Sequence, residues 1–132
     1  MTELSHLLDT NVCIDFLLGR SAPLAQRMAA SLGALAVSAV TAAELRVGSR
    51  MSADPDGDMR RIDTFLSLMQ VVAFDDAASH IYANVVRQVG VRRRGFDRLI
   101  GTQALALGLI LVTRNDRDFA DIPGLKVEDW TQ

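Results

Sequence analysis

Acidic side chains stand where apolar runs give way to helical patterns: Asp9, Glu44, Asp97, and the pair Asp116 and Asp118. Asp9 ends the run Leu7-Leu8 and precedes Thr10-Asn11 and a helical pattern through Val12, Ile14, Phe16 and Leu17. In an open parallel α/β sheet, ligands sit outside the carboxyl ends of the strands, so Asp9 reads as a site residue. Glu44 lies in Thr41-Ala42-Ala43-Glu44 after a second apolar run, and Asp97 follows Gly95-Phe96. Asp116 and Asp118 lie in Thr113-Arg114-Asn115-Asp116-Arg117-Asp118-Phe119, after the apolar run Leu109-Ile110-Leu111-Val112. Carboxylates gathered at one end of a sheet resist ionising together unless a cation joins them. Oxygen-only donors suit Mg²⁺ or Mn²⁺. A metal ion held by carboxylates can activate water and stabilise leaving oxygens in phosphodiester cleavage.

Each acid also has a plain local explanation. Asp is favoured as a helix N-cap, which would account for Asp9 or Asp97, although Thr10 could cap the first helix instead. Thr41-x-x-Glu44 has the form of a capping box, in which the Glu reaches back to the cap's N–H. Asp118 could cap a short turn. Gly101 sits one turn after Asp97, within a helical pattern, where Gly costs about 1 kcal/mol relative to Ala; a close backbone approach would explain it. Cys13, His6 and His80 are scattered and give no zinc spacing. Cys13 reads as a small core hydrophobe and His80 as partly exposed. The sequence contains neither a Gly-rich phosphate loop nor a Ser-centred nucleophile elbow.

The elements that would carry these residues alternate. A strand over 4–9 is followed by a helix to about Leu18, closed by Gly19. Ser21-Ala22-Pro23 opens a second helix with the stripe Leu24, Met28, Leu32, ended by Gly33. A strand over 35–38 leads into a third helix running from about Thr41 to Ser49. Residues 51–57 carry turn signals throughout. A fourth helix presents Met59, Ile62, Phe65, Leu66 and Met69 at helical spacing. A strand over 71–74 follows, then a helix capped by Asp75 or Asp76 and a basic loop from Gly90 to Gly95. The helix opened by Asp97 turns Ile100, Ala104 and Leu107 inward and ends at Gly108. A strand over 109–112, the polar turn 113–118 and an edge strand over 125–127 complete the chain, with Trp130 packing near its end. Strands separated by helices predict an α/β fold, a parallel sheet covered on both faces. Leu45, Met59, Phe65 and Met69 look too many for one small core, which predicts a homodimer through the third to fifth helices.

The length of 132 residues suits one domain over 1–132 with a sizeable core. Hydrophobic content of 49% and charged content of 23% argue against a long disordered region. A lone cysteine fits a reducing compartment, and the absence of a long apolar stretch predicts a cytoplasmic protein without a membrane span. Net charge of −2 does not mark a nucleic-acid binder. The basic residues are nonetheless arginines apart from Lys126, and Arg92, Arg93 and Arg94 precede Asp97. Arginine's planar fork matches phosphate, so this run is a candidate for phosphate contact.

Taken in order, Leu7-Leu8-Asp9-Thr10-Asn11, Val40-Thr41-Ala42-Ala43-Glu44-Leu45, Phe96-Asp97-Arg98-Leu99-Ile100 and Leu111-Val112-Thr113-Arg114-Asn115-x-x-Asp118-Phe119 form a pattern, closed by Ile122-Pro123-Gly124-Leu125 and Asp129-Trp130. It resembles PIN-domain ribonucleases of the VapC toxin type, from bacterial toxin–antitoxin modules, over nearly the whole chain. The resemblance implies a five-stranded parallel sheet with helices on both faces and Mg²⁺- or Mn²⁺-dependent cleavage of RNA. It also implies a homodimer, and inhibition by a small VapB-type antitoxin whose C-terminal segment enters the active-site groove. Asp9, Glu44 and Asp97 match the family's three principal acids. Many members place a fourth acid where this chain has Asn115, so Asp116 or Asp118 could replace it.

These readings assign direct metal binding to Asp9 and Asp97. Glu44 would bind through water or orient the attacking water, and Asp116 would complete the acid set. Thr10, Asn11, Thr113, Asn115 and Asp118 are expected in the outer coordination or at the substrate. A PIN-like binding module without activity and a receiver-like signalling domain are the alternatives. The latter lacks a well-placed acidic pair before Asp9, and Lys126 comes too late for its lysine.

Overall fold

The computed structural model describes residues 3–90 and 95–132. Among these, β1 (His6–Leu8), β2 (Leu35–Ser38), β3 (Gln70–Val72), β4 (Ile110–Val112) and β5 (Val127–Glu128) form a sheet in the order β3-β2-β1-β4-β5. Every pairing is parallel, with Leu8 level with Val37 on one side and Val112 on the other. β1 is therefore central. The chain goes to one side of it for β2 and β3, then crosses to the other for β4. That reversal opens a crevice beyond the carboxyl ends of β1 and β4, the place where such sheets bind ligands. A receiver-like unit has the order 2-1-3-4-5, and this topology excludes it.

The central strands β1, β2 and β4 are short and apolar, with side chains buried on both faces, while the border strands β3 and β5 are more exposed. Leu8, Leu35, Val37 and Val112 face one core, which α1 (Thr10–Leu17), α2 (Ala22–Ala30), α3 (Ala39–Arg50) and α4 (Pro55–Ser67) cover. Leu7, Ala36 and Leu111 face the other, beneath α5 (Asp76–Val89) and α6 (Gly95–Leu107). The period-2 alternation of Leu7 and Leu8 thus feeds two cores, as expected for a doubly covered sheet. Each buried leucine contributes about 1.5–3 kcal/mol.

Caps fix where the helices begin. Ser21 accepts from the N–H of Leu24, with Pro23 in the first turn of α2. Asp75 accepts from Ala78 at the start of α5. Asp54 accepts from Gly57, and Pro55 then starts α4. The loop expected over 51–57 consequently shortens, because its Pro-Asp-Gly signal is the first turn of a helix. Likewise α3 starts at Ala39, capped by Ser38, two residues earlier than the Thr41 signal suggests.

Two stripe residues do not point inward. Leu32 lies past the end of α2 and is exposed, and Leu107 is exposed in the last turn of α6, before Gly108 ends it at φ +68°. The packing argument for a dimer also changes. Leu45 and Phe65 are buried in this chain's own core, Met69 packs against it and Met59 is half-buried. Their number reflects a cleft between α1, α3 and α4 that four helices on one face can fill.

The last strand is pinned by side chains. Trp130 is buried and donates from Nε1 to Glu128 at 2.9 Å, while His6 Nε2 lies 3.0 Å from the same Oε1. The Arg27 guanidinium lies 4.7 Å from the Trp130 ring centre, a cation–π distance.

Gly101 explains itself by contact. A Cβ there would meet Ile122 Cδ1 at 2.6 Å and Phe119 Cδ1 at 2.9 Å, so α6 lies against the segment that follows β4. Overpacking costs about 1–3 kcal/mol, against a propensity gain of about 1 kcal/mol. Gly101→Ala should lower the melting temperature and Gly101→Val lower it further. A rise for the alanine variant in thermal denaturation would show that Phe119 and Ile122 yield freely.

Candidate active site

Asp9 is the joint between β1 and α1. Its extended backbone (φ −77°, ψ 168°) lets the side chain cap α1, Oδ1 accepting from the N–H of Val12 at 2.8 Å. Oδ2 accepts from the Thr113 hydroxyl at 2.5 Å, and the Asp9 N–H donates to Val112 O at 3.0 Å. The carboxylate is thus tied to the end of β4 as well as to its own helix, and only 3% of the residue is exposed. The capping explanation and the site explanation hold together: one oxygen caps while the group sits in the crevice.

Burial dominates the chemistry of this group. Desolvation, helped by the neighbouring Asp97 charge, raises the Asp9 carboxyl to about 6 against the pull of Thr113, Val12 and Arg114. Asp97 stands in the first turn of α6 and is half-buried. The two carboxyl groups come from elements far apart in sequence, and the fold brings them near enough for the charge of one to act on the other.

Glu44 is not a capping-box partner. With Ser38 as cap, Thr41 lies inside α3, fully buried, and Glu44 turns instead to α1. Its Oε1 accepts from the Thr10 hydroxyl at 2.7 Å, and Thr10 Oγ1 is 3.0 Å from Thr41 Oγ1. This polar chain ties α3 to the first residue of α1, next to Asp9. Asn11 is exposed in the same turn.

Asp116 and Asp118 belong to a 3-10 turn, Asp116–Phe119, and both are exposed. Asn115 is half-buried and donates its N–H to Thr113 Oγ1 at 3.0 Å, so it buttresses the hydroxyl that holds Asp9. Among the described residues no three His, Cys, Asp or Glu side chains converge tightly enough to hold an ion between them. The tight four-position acid cluster expected from the junctions is thus not formed among the described residues, although the charge of Asp97 acts on Asp9. Arg92, Arg93 and Arg94 lie outside the described residues.

The donor set suits a hard cation. Mg²⁺ binds through one or two carboxylates and keeps several waters, which matches a pair of carboxylates rather than a cage. Softer donors are elsewhere: Cys13 is buried in the core, where desolvation raises its thiol, His6 engages Glu128, and His80 is exposed beside Asp76.

Two site-side residues, Asp15 and Arg98, were not singled out by sequence. Asp15, only 4% exposed, lies within α1 and pairs with Arg114 Nε at 2.7 Å and Arg20 Nη1 at 3.2 Å. Arg98, next to Asp97, is buried and donates from Nη2 to Asp121 at 2.8 Å, joining α6 to the stretch after the 3-10 turn. A lone acid between Ile14 and Phe16 was the available signal for Asp15. Arg98 had none beyond its proximity to Asp97.

The fold and this crevice define a PIN-domain architecture, and the PIN-domain profile matches residues 6–125; the chain belongs to the PIN-domain family. Within it the similarity runs to VapC. The chain is 36% identical to the tRNA(fMet)-specific endonuclease VapC of Shigella flexneri, over 97% of this chain and 99% of that one. It is 30% identical to the protein of the same name from Salmonella typhimurium, over 96% and 98%. The structure superposes on that of DNA-bound VapBC from Salmonella typhimurium with a TM-score of 0.90 and 28% identity, covering 96% of this chain and 98% of the other. No helix among the described residues is long and apolar enough to cross a membrane.

The raised Asp9 carboxyl has a measurable consequence. Between the ordinary value of 3.8 and about 6, the folded chain holds a proton that the unfolded chain releases. Stability is therefore lost as pH rises through that window, and above it the charged form lowers stability by on the order of 3 kcal/mol. In chelator at about pH 7.5, Asp9→Asn should melt higher than the unsubstituted protein, and the two should converge near pH 4. A gap of the same size at both pH values would remove desolvation as the cause.

Proposed function

We propose that this chain is the toxin of a type II toxin–antitoxin pair, an endoribonuclease that hydrolyses RNA phosphodiester bonds with Mg²⁺, or Mn²⁺ in its place. The observation that carries the reading is the buried Asp9 carboxylate, held through both oxygens, with a second carboxylate, Asp97, acting on it. Asp9 and Asp97 would hold the metal. A divalent ion bound there supplies Lewis-acid activation of water and charge stabilisation at the leaving oxygen.

The remaining roles fall to this chain's own groups. Thr113 fixes the orientation of Asp9, and Asn115 in turn fixes Thr113. Glu44, hydrogen-bonded to Thr10, orients the attacking water or accepts its proton. Asn11, Asp116 and Asp118 complete the outer surroundings of the crevice, and Arg92 to Arg94 contact the RNA backbone. A VapB-type antitoxin is the partner, supported by the antitoxin-bound assembly of the Salmonella relative. A homodimer belongs to the same reading, with exposed Val47, Met51 and Leu68 offering apolar surface around α3 and α4.

Purified protein should cleave RNA in Mg²⁺ and stop in chelator. Asp9→Asn and Asp97→Asn should each remove cleavage and growth inhibition while circular dichroism shows an intact fold. Full activity in either folded variant would sink the assignment and favour a binding module. Glu44→Gln keeps size and hydrogen bonding but not charge. Its cleavage rate at saturating Mg²⁺ should fall steeply while the metal-free melting temperature holds, and an active Glu44→Gln protein would confine Glu44 to tying α3 to α1.

A further inference from the structure

We infer that Arg114 is a substrate-binding residue of this crevice: held in place by the buried Asp15, its guanidinium takes a phosphate oxygen of the RNA. The inference rests on the endoribonuclease reading above and adds a residue and a positioning partner to it.

Asp15 is the starting observation. A carboxylate that is 4% exposed, set among apolar neighbours of α1, requires a paired charge. Arg20, five residues on, already provides one at 3.2 Å. Arg114 provides a second, from a different element, at 2.7 Å. Two guanidiniums on one carboxylate leave a surplus positive charge beside a site otherwise built from acids. Neutralising Asp15 does not need that surplus.

The geometry of Arg114 shows where the surplus is available. The ion pair with Asp15 is made at Nε, the nitrogen nearest the backbone, and 44% of the side chain stays exposed. Among the described residues the terminal Nη groups have no hydrogen-bond partner. Arg114 directly follows Thr113, whose hydroxyl holds Asp9, and its charge acts on that carboxylate. The fork therefore stands at the crevice with both terminal nitrogens, four N–H donors, to spare. Guanidinium and phosphate match in planar, paired hydrogen bonds. A guanidinium already fixed at Nε loses less freedom on binding than a loose one. Positive donors placed where charge grows on a phosphoryl group also stabilise the transition state. Asp15 touches no substrate and is a positioning residue.

The test uses full-length protein and a short fluorescent single-stranded RNA that the unsubstituted protein cuts. Affinity is read by anisotropy in an Asp97→Asn background and cleavage in Mg²⁺ without that change. Arg114→Gln should weaken RNA binding roughly 10- to 100-fold, the range of a charge-assisted hydrogen bond. The slope of log affinity against log salt should shrink by about 0.7, one phosphate contact to a single strand. Arg114→Lys keeps charge without the fork and should fall between. Asp15→Asn should lower cleavage alone but add nothing in the Arg114→Gln background. Arg20→Gln should leave binding and cleavage unchanged. Unchanged affinity and salt slope in Arg114→Gln would overturn the inference. So would a loss that tracks a lower melting temperature and is restored by adding Asp15→Asn, because Arg114 would then serve only to neutralise Asp15. A protein that neither binds nor cuts any RNA overturns the endoribonuclease reading and this inference together, whereas an active protein indifferent to Arg114 overturns this inference alone.

Discussion

The hydrogen bond from Thr113 to Asp9 joins the ends of two neighbouring strands at the point where the strand order reverses. Much of the site depends on it. A carboxylate buried at that depth would protonate or turn toward solvent unless both oxygens were engaged. Here the Val12 N–H takes one and the Thr113 hydroxyl the other. Asn115 secures the hydroxyl from behind, and Gly101 lets α6 approach the same segment closely. The position of α6, and with it Asp97, thus follows from its packing on the Phe119 and Ile122 side chains beyond the β4 exit.

Polar groups on the other side of Asp9 perform a related task. Thr10, Thr41 and Glu44 form a short hydrogen-bonded chain between α1 and α3. Thr41 is fully buried, and a buried hydroxyl left unpaired would cost about 1–3 kcal/mol. The chain satisfies it while holding Glu44 at the crevice. The same economy is seen at Asp15, where one buried acid organises two arginines from different parts of the fold.

The sheet and its helices were legible because local signals agreed with the tertiary outcome. Leu7-Leu8, the run 35–38 and Leu111-Val112 are strands, and the caps at Ser21 and Asp75 act as their types suggest. Asp9 and Asp97 were legible as junction residues because the structure places them at the start of α1 and in the first turn of α6, whereas Glu44 lies inside α3. The departures arose where one signal fitted two structures. Pro55-Asp56-Gly57 is both a turn and a helix start, and the capping of Asp54 decides for the helix. Thr41-x-x-Glu44 has the letters of a capping box, but Ser38 reaches the helix first. The exposed places of Asp116 and Asp118 were hidden because a polar turn does not reveal which of its carboxylates face inward. The pairing of Asp15 with Arg114 spans nearly a hundred residues, and only the assembled sheet brings them together.

The borders of the sheet carry a consequence for how this molecule meets others. β3 has three residues and β5 two, and β5 is held down by Glu128, His6 and the buried Trp130. Few amide and carbonyl groups are left open along either border, so an extended segment from another chain finds little ladder to extend. Association is left to the helical faces. Recognition there is written in side chains, which can diverge from one relative to the next while the backbone of the fold stays the same.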